Sequence, residues 1–214
     1  MKYPKLRQTE LIVNLNNIQK NIDVIKEKIG ENIKIMPIIK ADAYGTGVEG
    51  ILKVISNNNI NIVGVAIVDE GIYLRELGFD GEIFVLNQPL EEELDAIYEY
   101  NLVPGISSKN FVELIGARNK PIKIHIEIGT GMGRTGVNPY KLNNIIDVIK
   151  KYKNIDVEGI YTHFSSSDCD YDYTKKQIES FEIAIKVIKE EFNNIKYIHT
   201  CNSCRNFKFS RSAL

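Results

Sequence analysis

The chain has 214 residues, with 27 Lys and Arg against 28 Asp and Glu and a formal charge of −1. That length suits one substantial α/β unit with its own core, and the balanced charge offers no electrostatic case for a nucleic-acid or anionic-membrane partner. No apolar run reaches the roughly 18 residues a membrane span needs, and Met1-Lys2-Tyr3-Pro4-Lys5 leads into no signal-peptide core, so a cytoplasmic location is expected.

In chain order, Leu11-Ile12-Val13 reads as a short extended segment, followed by a helix from about Asn16 to Ile29. Strands are predicted at Ile33–Lys40, Ile62–Ile67, Glu82–Leu86, Leu102–Gly105, Ile122–Ile128, Val157–Thr162 and Ile195–Thr200. Helices are predicted between them, near Val48–Ser56, Asp69–Leu77, Glu91–Tyr100, Ser108–Arg118, Pro139–Tyr152 and Tyr173–Phe192. In the last, Ile178, Phe181, Ile185, Ile188 and Phe192 recur every three or four residues, the spacing of one helix face. Strands alternating with helices predict a parallel α/β sheet, doubly wound or a (β/α)8 TIM-type barrel. The lengths favour the barrel, incomplete at about seven of its eight strands. In either architecture functional groups collect at the carboxyl ends of the strands.

Four of those ends carry chemistry. Lys40 follows the apolar run Ile33–Ile39 and precedes Ala41-Asp42-Ala43-Tyr44-Gly45-Thr46-Gly47, in which Gly45 and Gly47 permit a tight turn with N–H groups free to meet an anion. A lysine drawn partly out of water has more neutral amine available for covalent chemistry, although a snorkelling strand-end lysine is the ordinary alternative. In the strand Ile122–Ile128 the isoleucines alternate with Lys123, His125 and Glu127, which are expected to face the barrel interior. The loop Gly129-Thr130-Gly131-Met132-Gly133-Arg134-Thr135-Gly136 then sets glycines around one arginine able to grip a carboxylate through two parallel bonds; its spacing matches no phosphate-binding fingerprint. His163 ends the next strand beside Tyr161, Thr162 and Phe164, and the last ends His199-Thr200-Cys201-Asn202-Ser203, short polar donors suited to phosphate. Cys201 and Cys204 form one C-x-x-C after His199, but no second pair completes a zinc tetrahedron, and three cysteines make no disulfide framework.

Lys40-Ala-Asp-Ala-Tyr-Gly-Thr-Gly, Gly129-Thr-Gly-Met-Gly-Arg134, Tyr161-Thr-His163-Phe and His199-Thr-Cys-Asn202-Ser203, in this order and across nearly the whole chain, resemble the amino-terminal barrel of alanine racemase. The resemblance implies a pyridoxal 5′-phosphate enzyme that interconverts L- and D-alanine for peptidoglycan synthesis, and a homodimer at full length. It implies that Lys40 is catalytic, holding the cofactor covalently and carrying the α-proton on one face, and that Tyr44 and Ser203 bind the phosphate with Asn202 beside them. His163 would pack by the pyridine ring and Arg134 would engage the cofactor's phenolic oxygen and the substrate carboxylate. A serine or broad-specificity racemase, a non-catalytic cofactor-binding barrel and a barrel decarboxylase are the alternatives.

The chain departs from the family at three places. Glu127 stands where a carbamylated lysine is usual, and its carboxylate is expected to supply that negative charge to Arg134. Gly129 stands where an aspartate is usual. After Ser203 the family pattern stops, so the expected division is an alanine racemase barrel over 1–203 and an atypical tail over 204–214. Codons compatible with the tail, read one nucleotide later, give Ala-Gly-Ile-Leu-Asn-Phe-Pro-Glu-Ala-His, which resembles the family continuation. A frameshift after Ser203, with loss of the eighth strand and the carboxy-terminal β domain, is therefore the expectation, as is weak or absent activity in the short form.

Overall fold

The computed structural model describes residues 10–200, in which six parallel strands, ordered β1-β2-β3-β4-β5-β6, curl into part of a barrel accompanied by helices. The elements are α1 (Leu15–Ile29), a turn α2 (Lys40–Gly45), α3 (Val48–Asn57), β1 (Ile62–Val65), α4 (Val68–Glu76), β2 (Glu82–Val85) and α5 (Leu94–Glu99). They continue as β3 (Val103–Ile106), α6 (Lys109–Ala117), β4 (Ile122–Glu127), α7 (Asn143–Ile149), β5 (Ile155–Tyr161), α8 (Tyr171–Glu191) and β6 (Tyr197–His199). Among the described residues no helix is long and apolar enough to cross a membrane.

The predicted strand over 33–40 is reduced to a bridge. Gly64 N–H donates to the Pro37 carbonyl and Ile39 N–H to the Gly64 carbonyl, both at 2.8 Å. Pro37 has no N–H to extend that ladder, so the segment keeps the place of a first strand beside β1 with little of its pairing. The predicted helices at 91–100 and 139–152 each open with a 3-10 turn, Glu91–Glu93 and Pro139–Lys141.

Two cores hold the sheet. Outward-facing Val63, Val65, Ile83, Val85, Ile106, Ile124, Ile126 and Ile160 pack under the helices against Leu74, Leu94, Ile97, Phe111, Ile115, Ile149, Phe181 and Ile188, and all are buried. Each such side chain contributes about 1.5–3 kcal/mol. The second core lies inside the curl, where Phe84, Val103 and Tyr161 pack with Met36 and Leu86.

Glycine makes room for this inner layer. A Cβ on Gly105 would stand 2.3 Å from the Tyr161 hydroxyl and 2.8 Å from the Leu86 carbonyl, the pair that Tyr161 joins by donating its proton at 2.6 Å. Gly105→Ala is expected to cost about 1–3 kcal/mol as that bond and the neighbouring strands are pushed apart. Urea unfolding would measure the loss, and an unchanged midpoint would contradict the packing described.

Candidate functional site

Lys40 is half-buried, at the end of the bridged segment that runs beside β1. The four residues after it, Ala41, Asp42, Ala43 and Tyr44, all have left-handed backbone, with φ of 51, 53, 52 and 58°. Left-handed helix costs an L-residue about 1–2 kcal/mol, so such a run must be imposed by its surroundings. Glu70, at the start of α4, is one of the groups imposing it. One carboxylate oxygen accepts the Ala41 N–H at 2.6 Å, while the other accepts Ala66 N–H at 2.7 Å and Ile67 N–H at 3.3 Å. Asp42 Oδ1 accepts the Val48 N–H at 2.7 Å, which secures the start of α3, and Ala43 is buried. Gly45 and Gly47 do take positive φ, 78 and 87°, as expected of the tight turn, and the left-handed stretch begins before them, in the non-glycine residues Ala41 to Tyr44.

The second part lies after β4. Glu127 is 5 % exposed, and burial raises its carboxyl pKa against the opposing pull of the Thr135 hydroxyl, Arg134 and Tyr161. Thr135 donates to it at 2.8 Å, and the strand is closed behind by Val137 N–H to the Glu127 carbonyl at 2.7 Å. Among the described residues no ion pair joins Glu127 to Arg134, so the negative charge expected to fix the arginine acts at longer range, with Thr135 as the group in contact. Arg134 is exposed, on a loop whose Gly131, Gly133 and Gly136 have φ of 141, 74 and 106°.

Helix α8 pins that loop. Tyr173 donates its hydroxyl to the Gly131 carbonyl at 2.8 Å. Thr162 gives its proton to the Ile128 carbonyl at 2.7 Å, so in the 2.8 Å Thr130–Thr162 contact the proton comes from Thr130, which in turn accepts from Gln177 at 3.3 Å. Gln177 is fully buried and its amide oxygen also accepts the Ser165 N–H at 3.2 Å.

These elements frame a shallow depression lined by Glu127, Ile128, Gly129, Thr130, Met132, Arg134, Thr135 and His163. The His163 imidazole is pushed below its usual pKa by partial withdrawal from water, then by Arg134 and Lys40, which brings all three side chains into one electrostatic neighbourhood. The Lys40 ammonium lies 5.9 Å from the centroid of the Tyr44 ring, and Tyr44 is itself exposed. The Lys40 amine with the Tyr44 phenol near it, and the His163 imidazole with Arg134 beside it, are groups of the kind that suit an aldehyde on a flat ring with an anionic arm, so in chemical type the described residues fit pyridoxal 5′-phosphate. Asn202 and Ser203, with Cys201, Cys204 and the tail over 204–214, lie outside the described residues. No cluster of metal-ligating side chains occurs among those described.

Sequence reasoning therefore reached Lys40, Tyr44, Glu127, Arg134 and His163, and missed the two residues that hold their backbones. Glu70 reads as an ordinary third-position helix glutamate; only its place three residues after the apolar end Ile67 hinted at a backbone-capping role. Gln177 is a polar residue on the buried stripe of α8, which is a signal visible in the sequence.

The family profile described as the N-terminal domain of alanine racemase matches residues 13–212. The alanine racemase of Carboxydothermus hydrogenoformans is 37% identical over 196 residues, covering 89% of this chain and 53% of that protein. The solved alanine racemase of Clostridium difficile 630 is 29% identical with a TM-score of 0.85, covering 91% of this chain and 55% of that one. A histidine racemase from Leuconostoc mesenteroides, at 21% identity and a TM-score of 0.82, shares the fold. The chain thus spans about half the length of the relatives it matches. With the profile matched over nearly its whole length and relatives of this identity, this chain belongs to the alanine racemase family, in its N-terminal domain.

Proposed function

We propose that this chain forms the cofactor-binding barrel of a pyridoxal 5′-phosphate-dependent racemase that interconverts L- and D-alanine, supplying D-alanine for peptidoglycan in the cytoplasm as a homodimer. The observation that carries the reading is the Lys40 amine, seated by a forced left-handed turn in the same neighbourhood as His163 and Arg134. Pyridoxal 5′-phosphate, when bound, supplies the electron sink that makes the α-proton of an amino acid removable. Lys40 would anchor the cofactor through Nζ and then hold the α-proton at that atom. Arg134 offers a planar fork to the substrate carboxylate, and Thr135, held by Glu127, keeps its loop in place. His163 offers a flat face to the ring, while Tyr44, Asn202 and Ser203 would bind its phosphate.

Inversion needs a proton returned from the opposite face. The family resemblance assigns that task to a tyrosine of the partner subunit's carboxy-terminal domain. The anchoring step is separately testable. Incubation with pyridoxal 5′-phosphate, borohydride reduction and peptide mass mapping should place one adduct on Lys40, and Lys40→Ala should lose it. An adduct of equal yield on other lysines with none on Lys40 would refute the site. Alanine against serine in a chiral turnover assay, run on the full-length protein, decides the substrate.

A further inference from the structure

Deep in the curl lies a buried polar pair that the proposed chemistry does not use. His125 and Glu158 are 1 % and 4 % exposed, and His125 Nε2 and Glu158 Oε2 are the buried side-chain atoms among the described residues that make no hydrogen bond. They face each other at 4.0 Å. On its other side His125 Nδ1 meets His199 Nε2 at 2.9 Å.

The backbone is shaped for this arrangement. The register of β4 on β5 runs Ile124 to Val157 and then His125 to Gly159, so Glu158 is an extra residue, a bulge of the kind that re-aims a side chain. Gly159 then leaves room for the imidazole: a Cβ there would stand 2.7 Å from the His125 ring. Phe84 stacks on the same ring with centroids 4.7 Å apart, which fixes its plane. Glu158 Oε1 takes two ammoniums, Lys123 at 2.9 Å and Lys196 at 3.3 Å, and Lys196 also holds Glu82 at 2.6 Å. Oε2 is consequently the oxygen left to act on His125.

We propose that Glu158, through His125, sets the tautomer of His199. A carboxylate oxygen opposite His125 Nε2 favours a proton on that nitrogen over a lone pair, since a lone pair there would face negative charge. Nδ1 of His125 is then an acceptor, and the proton in the 2.9 Å contact belongs to His199 Nε2. His199 in turn keeps Nδ1 as an acceptor, on the strand that leads straight into Thr200 and on to Asn202 and Ser203. Burial, with Lys196 and Lys123 nearby, lowers the His125 pKa to about 3, so both rings are neutral near pH 7 and the pair has only these two proton arrangements. Glu158 is on this account a positioning residue for His199, and the inference stands apart from the racemase reading because tautomers are read without cofactor.

The test is ¹⁵N-histidine labelling of the 214-residue chain, whose three imidazoles are resolved by two-bond ¹H–¹⁵N correlation, with His163→Asn assigning the third ring. The wild-type chain should show the Nε2–H form for both His125 and His199. Glu158→Gln should lose that preference in both rings together, and Glu82→Gln, which disturbs Lys196 without facing His125, should leave it intact. An Nδ1–H form of His125 in the wild-type chain, tautomers unmoved by Glu158→Gln, or an equal change in Glu82→Gln would each overturn the proposal. Should Glu158→Gln not fold, the wild-type tautomers decide alone.

Discussion

Glu70→Ala is expected to lower stability by about 3 kcal/mol, taking the Ala41 and Ala66 bonds at roughly 1.5 kcal/mol each and counting the longer Ile67 bond as a small addition. The effect should not stop at stability. One carboxylate ties the end of β1's loop to the residue after Lys40, and without it the Ala41 N–H loses its acceptor while four left-handed residues retain their steric preference for another conformation. The turn should relax and Lys40 should lose its seat, so the borohydride-fixed adduct on Lys40 should fall along with the urea midpoint. Glu70→Gln should be intermediate, because an amide has one accepting oxygen for donors that now use two. A Glu70→Ala protein with wild-type midpoint and full adduct yield would show that the turn is held by other means.

Acid should unfold this chain well before carboxylate protonation alone would. The folded His125 pKa is about 3 and His199 is held well below its usual value, both chiefly by burial. Between about pH 6.5 and pH 3 the unfolded chain therefore binds a proton on His125 that the folded chain does not, His199 acts in the same direction, and stability falls as pH falls. At about 1.4 kcal/mol per pH unit, moving from neutrality to pH 5 costs about 2 kcal/mol for His125, and His199 adds to it with the same sign. That is a large share of the roughly 5–15 kcal/mol by which domains are stable. His163 acts with the same sign. Glu127 acts oppositely: its raised pKa lets the folded state take up a proton first, adding stability as pH drops toward its unfolded value, but it is one group with a smaller shift. Urea midpoints at about pH 7.5 and pH 5 measure the difference, and His125→Gln should make the slope shallower. Equal midpoints at the two pH values would mean that the rings are not held neutral in the folded state.

The amino-acid sequence by itself determined the order of strands and helices, because strands buried on both faces are written as runs of Ile and Val, and α8 repeats its apolar residues at helical spacing. It also determined Lys40, Arg134 and His163 as the groups to follow, since their chemistry is carried by residue type and by position at a strand end. The tertiary structure decided what those groups lean on. The tight turn read at Gly45 and Gly47 is there, with positive φ at both, but only the tertiary structure shows that Ala41 to Tyr44 before them are left-handed too, with Glu70, about thirty residues away, holding Ala41. The expected first strand shrank to a bridge because Pro37 interrupts its donors. Glu158 was not singled out in the sequence, and only the register of β4 on β5 shows the bulge that places it against His125. Local propensity and burial period can be read along a chain, but a hydrogen bond between distant segments, and a shift of one residue in a ladder, exist only once the strands lie side by side.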